Sequence, residues 1–278
     1  MAARYRRRGS TKGRLAMAAV AALIALAGYW FGTREVENPV TGETQRVSLS
    51  PEQEIQLGLA AAPEMVRQHG GLLAAQEDQA LVDRVGRRLI GSSAAGDSEY
   101  AFDFHLLADE QTVNAFALPG GQVFLTAALA RRLRGEAEVA GVLAHEIAHV
   151  VARHGAERIA KSQLIQGLTG AAVIAAYDPE SATGEERARM AALVGQMVQM
   201  RYSREDELES DRLGVRFLAD AGYDPRALLG VMEVLAASGG GAPTEFFSTH
   251  PNPDRRMARI QQAIAERYPD GVPEGLER

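Results

Sequence analysis

Apolar residues recur every three or four positions along most of this chain and every second position in one short central stretch, so helices bracket a small sheet. Ser50-Pro51-Glu52 is an N-cap followed by proline at the first helical position, and it opens a helix over residues 51–68. Leu81, Val82, Val85 and Leu89 predict a second helix over 76–90, and small residues make 91–98 a loop. From Tyr100 the period shortens. Phe102, Phe104 and Leu106 alternate with Asp103 and His105, which predicts a half-buried strand with His105 on its solvated side. Residues 113–118 and 122–125 flank Pro119-Gly120-Gly121 and predict a strand pair, after which Thr126 caps a short helix to Leu133. The remainder reads as helical. One helix runs from Arg134 to His154-Gly155, and others cover 203–221, 225–237 and 253–267. Between them, apolar stretches at 164–177 and 190–200 are too short to span a bilayer and read as packing helices or as a cover over a site. Gly239-Gly240-Gly241 marks a flexible loop.

The N-terminus follows a different pattern. Residues 1–14 carry Arg4, Arg6, Arg7, Arg8, Lys12 and Arg14 with no acid, and residues 15–31 are uncharged and end in Tyr29-Trp30-Phe31. That is a basic arm before a minimal membrane-spanning segment with an aromatic belt, which predicts a cytoplasmic N-terminus and an exported body. Ala25-Leu26-Ala27 also fits a signal-peptide cleavage site, so a retained anchor and a soluble periplasmic product are both open. Residues 32–50, with Asn38-Pro39 and Thr41-Gly42, read as a linker or small hairpin. The arm also hides the charge of the body. The net charge is −6, yet beyond residue 14 only 24 of the 30 basic residues face all 36 acidic ones. An acidic body argues against nucleic acid as a partner. The absence of Cys excludes disulfides, thiol nucleophiles and cysteine metal ligands.

The candidate chemistry lies in His145-Glu146-Ile147-Ala148-His149. Two histidines four residues apart on a helix are separated by about 40° in azimuth and about 6 Å along the axis, so both can reach one metal ion. Glu146 borders that face, poorly placed to ligate but well placed to take a proton from a water held there. Leu143, Ile147, Val150 and Val151 form a separate apolar stripe, with His154 inside it as a packed or dipole-stabilising histidine. A pair of core histidines is the other reading of this spacing. A third ligand is sought among the acids of 201–220. On a helix, Glu205, Glu209, Arg212, Arg216 and Asp220 share a solvent face, while Glu207 and Asp211 point with the apolar side. Two carboxylates there need a positive partner. A zinc ion ligated by Glu207 supplies one, with Asp211 accepting the second N–H of a ligand histidine; a purely structural ion pair is the alternative. Ser203 with Asp206 reads as the capping box of this helix.

The segment from Ser203 to Asp211 resembles the third-ligand motif of the CAAX-prenyl-endopeptidase-like zinc metalloproteases, a family with heat-shock membrane, mitochondrial Oma-type and periplasmic assembly-protease branches. Ser210 stands where the family usually has Ala. Asn114-Ala115-Phe116 with Pro119-Gly120-Gly121 resembles the family's edge strand, and His250-Pro251 with Arg256 its late His-Pro element. The likeness covers about 106–259. It implies an α+β, mostly helical zincin-like fold with a small β-sheet behind the N-terminal segment, the protease domain occupying 51–270. It implies one Zn2+ per chain on His145, His149 and Glu207, with Glu146 as general base. It further implies substrate backbone paired to Asn114, Ala115 and Phe116, and His250 and Arg256 over the metal as oxyanion donors or as a screen of its open position. The expected activity is endopeptidase cleavage of misfolded or envelope proteins outside the cytoplasm, the membrane being reached through the N-terminal segment. A membrane-tethered chaperone or assembly factor with a latent or structural zinc site is the rival.

Overall fold

The computed structural model describes residues 11–176, 201–239, 244–251 and 256–278. The apolar stretch at 190–200 and Gly240-Gly241 lie outside the described residues. The described chain forms two compact units, one of residues 11–36, 46–48 and 157–176 and the other of 37–45, 49–156 and the described part of 201–278.

In the first unit, α1 (Thr11–Gly32) contains a run of 21 residues with mean hydropathy 1.9 that is only 6% buried. At about 1.5 Å per residue such a helix is long and apolar enough to cross a bilayer. Leu15, Val20, Leu23 and Ile24 stand exposed along it. Near its end the guanidinium of Arg46 lies over the Trp30 ring, 4.5 Å from its centroid. Most of α6 (His154–Ala176) belongs to the same unit and takes up 164–176 of the stretch expected at 164–177, residue 177 lying outside the described residues. A methyl placed on Gly167 would meet Ala25, so the two helices approach through small side chains. Beyond α1 the chain turns through a hairpin, β1 (Arg34–Glu37) and β2 (Thr44–Val47), where the sequence predicts a linker or small hairpin.

The second unit is built on α5 (Glu136–Val151). Every residue of α5 from Ala137 onward is buried. A helix enclosed on all sides needs small residues where neighbours cross. Ala140, Gly141, Ala144 and Ala148 supply them, and a methyl on Gly141 would stand 3.2 Å from Val231. Against α5 pack α3 (Gln76–Ser92), α7 (Arg204–Asp220) and α8 (Ala227–Ser238). On another side lies a three-stranded sheet of β3 (Asp103–Leu107), β4 (Ala115–Leu118) and β5 (Gln122–Thr126). Its order is β3-β5-β4, with β3 parallel to β5 and β4 antiparallel in the register Ala115↔Leu125, Ala117↔Val123. β4 is therefore an edge. Thr126 caps the short α4 (Ala127–Ala130) as expected, its Oγ1 accepting from the Leu129 N–H at 3.3 Å. Two late helices, α9 (Glu245–Thr249) and α10 (Arg256–Arg267), complete the described chain; the sequence did not predict α9.

The Pro119-Gly120-Gly121 tip of the β4–β5 hairpin docks on α2 (Pro51–Gln68), whose N-terminus carries the complete Ser50–Gln53 capping box. Gly120 and Gly121 have φ of 85° and 107°, which glycine adopts without strain. A methyl on Gly58 would collide with the Pro119 carbonyl. Gly58→Ala should therefore destabilise the protein by on the order of 1 kcal/mol, since overpacking against backbone outweighs the helix-propensity gain. Gly91→Ala, at an exposed position near the end of α3 with open space around it, should stabilise by a few tenths to about 1 kcal/mol. Urea midpoints that shift in the same direction for both variants would contradict the packing described.

Two sequence expectations are corrected. The central helix does not run to His154-Gly155; it stops at Val151, and α6 starts at His154. Arg153 makes the break with φ 55°, unusual without glycine, and its guanidinium is tied to Glu54 (Nε to Oε1 3.0 Å) and the Leu49 carbonyl (2.9 Å). Gly155 serves close packing instead, since a methyl there would stand 3.1 Å from Pro119. His105 is not freely solvated. Its Nε2 lies 2.9 Å from Gln122 Oε1, and its ring stacks on Phe124 at 4.7 Å.

Candidate metal centre

α5 presents His145 and His149 side by side, with Nε2 atoms 3.1 Å apart and both rings fully buried. α7 crosses them closely: a methyl on Gly214 would lie 3.6 Å from the backbone nitrogen of His145. That crossing places Glu207 Oε2 3.5 Å from His145 Nε2 and Glu207 Oε1 3.4 Å from His149 Nε2. One turn along, Asp211 Oδ1 lies 3.1 Å from His145 Nδ1. The start of α7 is fixed by the expected capping box, Ser203 and Asp206 each accepting from the other's backbone N–H. The i, i+4 spacing on both helices thus converges on one point, as the azimuths implied.

His250, at the end of α9, joins the group. Its Nδ1 is 3.0 Å from Glu207 Oε1 and its Nε2 is 3.7 Å from Glu146 Oε1. The ring stacks on Phe246 at 4.3 Å, and the His250 N–H donates to the Phe246 carbonyl at 2.8 Å. Ligand atoms of His145, His149, Glu207 and His250 lie within 4.8 Å of one another, and all four residues are buried. Tyr202 closes one side, its ring 4.0 Å from that of His149. Its backbone N–H donates to Thr249 and so holds the end of α9.

Arg256 reaches the same cluster from α10, its Nη2 3.2 Å from His145 Nε2. It is fully buried, with Nε and Nη2 on the two Asp211 oxygens at 2.6 and 2.8 Å and Nη1 2.9 Å from Glu207 Oε2. A guanidinium forked between two carboxylates orients them. The expected place of Glu209 is corrected. It leaves the solvent face to reach His154, Oε2 to Nε2 3.3 Å, and its side chain is 11% exposed. His154 in turn is neither a plain packing residue nor a dipole partner, since its Nδ1 stands 2.9 Å from His149 Nδ1. Spacing could not show this contact, because it depends on the break at Arg153.

The buried charges decide what the site can hold. Among the described residues, Glu146, Glu207 and Asp211 are three enclosed carboxylates beside the guanidinium of Arg256, and with the histidines neutral a doubly charged cation balances the deficit. Among the described residues, both Glu146 oxygens and His250 Nε2 lack hydrogen-bond partners, although buried and 3.7 Å apart at their closest. Such orphaned groups around one point fit a metal ion and its water. Two imidazoles, a carboxylate and a further imidazole form a zinc donor set, too rich in nitrogen for calcium or magnesium. Burial alone would raise the Glu207 carboxyl, but His250, His145 and His149 hold it well below its ordinary range. Burial likewise opposes ionisation of Asp211, and Arg256 and His145 outweigh it. Burial drives the His149 imidazole well down, towards the neutral form that ligates. For His145, burial and Arg256 act downward, but hydrogen bonds to Asp211 and Glu207 prevail and lift it to about 9.

The edge strand approaches the same place. Ala117, Leu118, His149 and Tyr202 line one cleft. Asn114 is buried and pairs through its backbone with Thr126, which donates to the Asn114 carbonyl from both N (3.1 Å) and Oγ1 (2.9 Å). Ala115 opens β4, and the Phe116 ring is engaged in packing, stacked on Phe124 at 4.8 Å. Alternation along an antiparallel pair then turns the backbone N–H and C=O groups of Ala115 and Ala117 towards the open edge.

A profile of peptidase family M48 matches residues 76–264, which takes in every residue of the cluster. The mitochondrial metalloendopeptidase OMA1 of Schizosaccharomyces pombe is 31% identical over 249 residues, covering 88% of this chain and 71% of that protein. The beta-barrel assembly-enhancing protease of Escherichia coli K12 is 34% identical over 246 residues, 83% of this chain but 48% of its own length. OMA1 of Arabidopsis thaliana is 36% identical over 158 residues, 57% of this chain and 31% of that protein. The chain thus spans about half the length of the bacterial assembly-protease relatives it matches.

Proposed function

The chain belongs to peptidase family M48, whose members are zinc metallopeptidases, and from that premise we propose that it is an endopeptidase acting on misfolded or envelope proteins outside the cytoplasm. The observation that carries this is the buried His145–His149–Glu207 set with Glu146, an uncompensated carboxylate, beside it. His145, His149 and Glu207 would hold one zinc ion, which when bound acidifies water and polarises a carbonyl. Glu146 takes the proton from the attacking water and returns it to the leaving amine. Asp211 orients His145 through Nδ1, and Arg256 positions Asp211 and Glu207. The open edge of β4, from Asn114, Ala115 and Phe116 to Ala117, accepts the substrate backbone as an added strand, with specificity left to side-chain pockets. The basic arm ahead of α1 supports a retained anchor with the catalytic unit on the far side of the membrane. Metal analysis of protein purified without chelator should return one zinc per chain; a content near zero would remove this reading.

One observation favours a restrained site. His250 places a third imidazole among the ligand atoms, and a full set of four protein ligands is the mark of closed zinc centres. We read His250 as the group that occupies the open position in a latent state. His250→Ala should then raise cleavage of a denatured protein substrate and leave zinc bound. A fall of about 10²–10³-fold would instead make His250 an oxyanion donor. The chaperone reading gains if His250→Ala stays inactive on every unfolded protein tested while zinc remains bound.

A further inference from the structure

Resting on the zinc reading above, we propose that His154 is a positioning residue for His149, in a hydrogen-bonded chain that runs from Glu209 through His154 and His149 to the metal position. The two ligand histidines are supported unequally. His145 Nδ1 meets a carboxylate directly, Asp211 Oδ1 at 3.1 Å. Among the described residues His149 Nδ1 meets no carboxylate; it faces His154 Nδ1 at 2.9 Å, and His154 Nε2 faces Glu209 Oε2 at 3.3 Å. The polarity of this chain follows from its carboxylate end. Glu209 beside Nε2 accepts a hydrogen bond from that nitrogen, which places the single proton of a His154 imidazole there and its lone pair on Nδ1. That lone pair can only accept, so the proton between the rings belongs to His149 Nδ1. His149 Nε2 is then left with its lone pair towards Glu207 and His145, the tautomer a metal ligand needs. The Ser210 hydroxyl also reaches His154 Nδ1, but from 3.3 Å.

Burial makes the arrangement specific. His154 is 2% exposed, its ring stands at 72° to that of His149, and the Tyr202 ring stacks on His149. The ring of His149 is thus clamped by Tyr202 and aimed by His154. Glu207, Glu209 and Asp211 lie on one helix and contribute in three ways: as ligand, as support for His149 through an intermediary, and as direct support for His145.

Zinc affinity, read by competition with a chromophoric chelator, tests this without reference to cleavage. His154→Leu fills the space but offers no acceptor, and affinity should fall by about 10–100-fold. His154→Asn is smaller, yet sets Oδ1 where Nδ1 stands, and should recover most of that loss. Glu209→Gln, at a partly exposed position, should fall at the lower end of the same range and covers the case in which His154→Leu fails to fold. A role in packing alone predicts the reverse order, with Leu close to wild type and Asn worse. That order, or wild-type affinity in Glu209→Gln, would overturn the proposal while leaving the zinc centre intact. If the wild-type protein itself binds no zinc, the reading of the centre fails first, before any variant is compared.

Discussion

Glu146→Gln is expected to lower peptide cleavage by about 10²–10⁴-fold while leaving zinc content at one per chain. The side chain is fully buried on α5, and neither oxygen has a hydrogen-bond partner among the described residues. A buried carboxylate without a partner is costly for the fold, so its neutral isostere should be tolerated or even stabilising. Loss of activity with an unchanged or raised melting temperature would therefore be chemical in origin. Glutamine keeps the shape but cannot take a proton from water, which removes the base and spares the ligands His145, His149 and Glu207. A variant with full activity on a denatured protein would sink the mechanism. Full complementation in cells by a variant that no longer cleaves would point to the binding role instead.

The parts of this centre that the sequence disclosed are those that depend on helix periodicity alone. His145 and His149 on one helix, and Glu207 and Asp211 on another, are fixed by 3.6 residues per turn, and their two faces meet where α5 and α7 cross. The edge strand was legible because Pro119-Gly120-Gly121 has few uses other than a tight connection. What periodicity could not give are contacts that depend on where a helix stops. Extrapolating α5 through His154 put that residue in an apolar stripe, whereas the turn at Arg153 redirects it onto His149. Once His154 is moved, Glu209 has a buried partner, and its place on the solvent face is lost. The end of α5 is itself a tertiary outcome. It is set by Arg153 reaching Glu54 and the Leu49 carbonyl, while Asn38 and Gln45 cap the carbonyls of Val151 and Ala152. No local signal near residue 153 announces partners about a hundred positions away.

The second large effect concerns Arg256, which the family resemblance offered as an oxyanion donor or a screen of the open position and which also bridges Asp211 and Glu207. An oxyanion donor would be dispensable for folding. An arginine forked between Asp211 and Glu207 would not, because its removal leaves two buried carboxylates without their guanidinium. Arg256→Met should therefore cost about 3–5 kcal/mol in urea unfolding of the metal-free protein, the range for breaking one partner out of a buried ion pair. Zinc should restore part of that loss, since it offers Glu207 a new positive partner and leaves only Asp211 short of one. The loss should also shrink in the double variant Arg256→Met with Asp211→Asn, which removes a stranded charge together with its former partner. Arg256→Lys should fall between, because an ammonium cannot span both carboxylates as a fork does. The test is the metal-free stability itself. A variant that unfolds like wild type but cleaves 10²-fold more slowly would return Arg256 to the substrate side of the site.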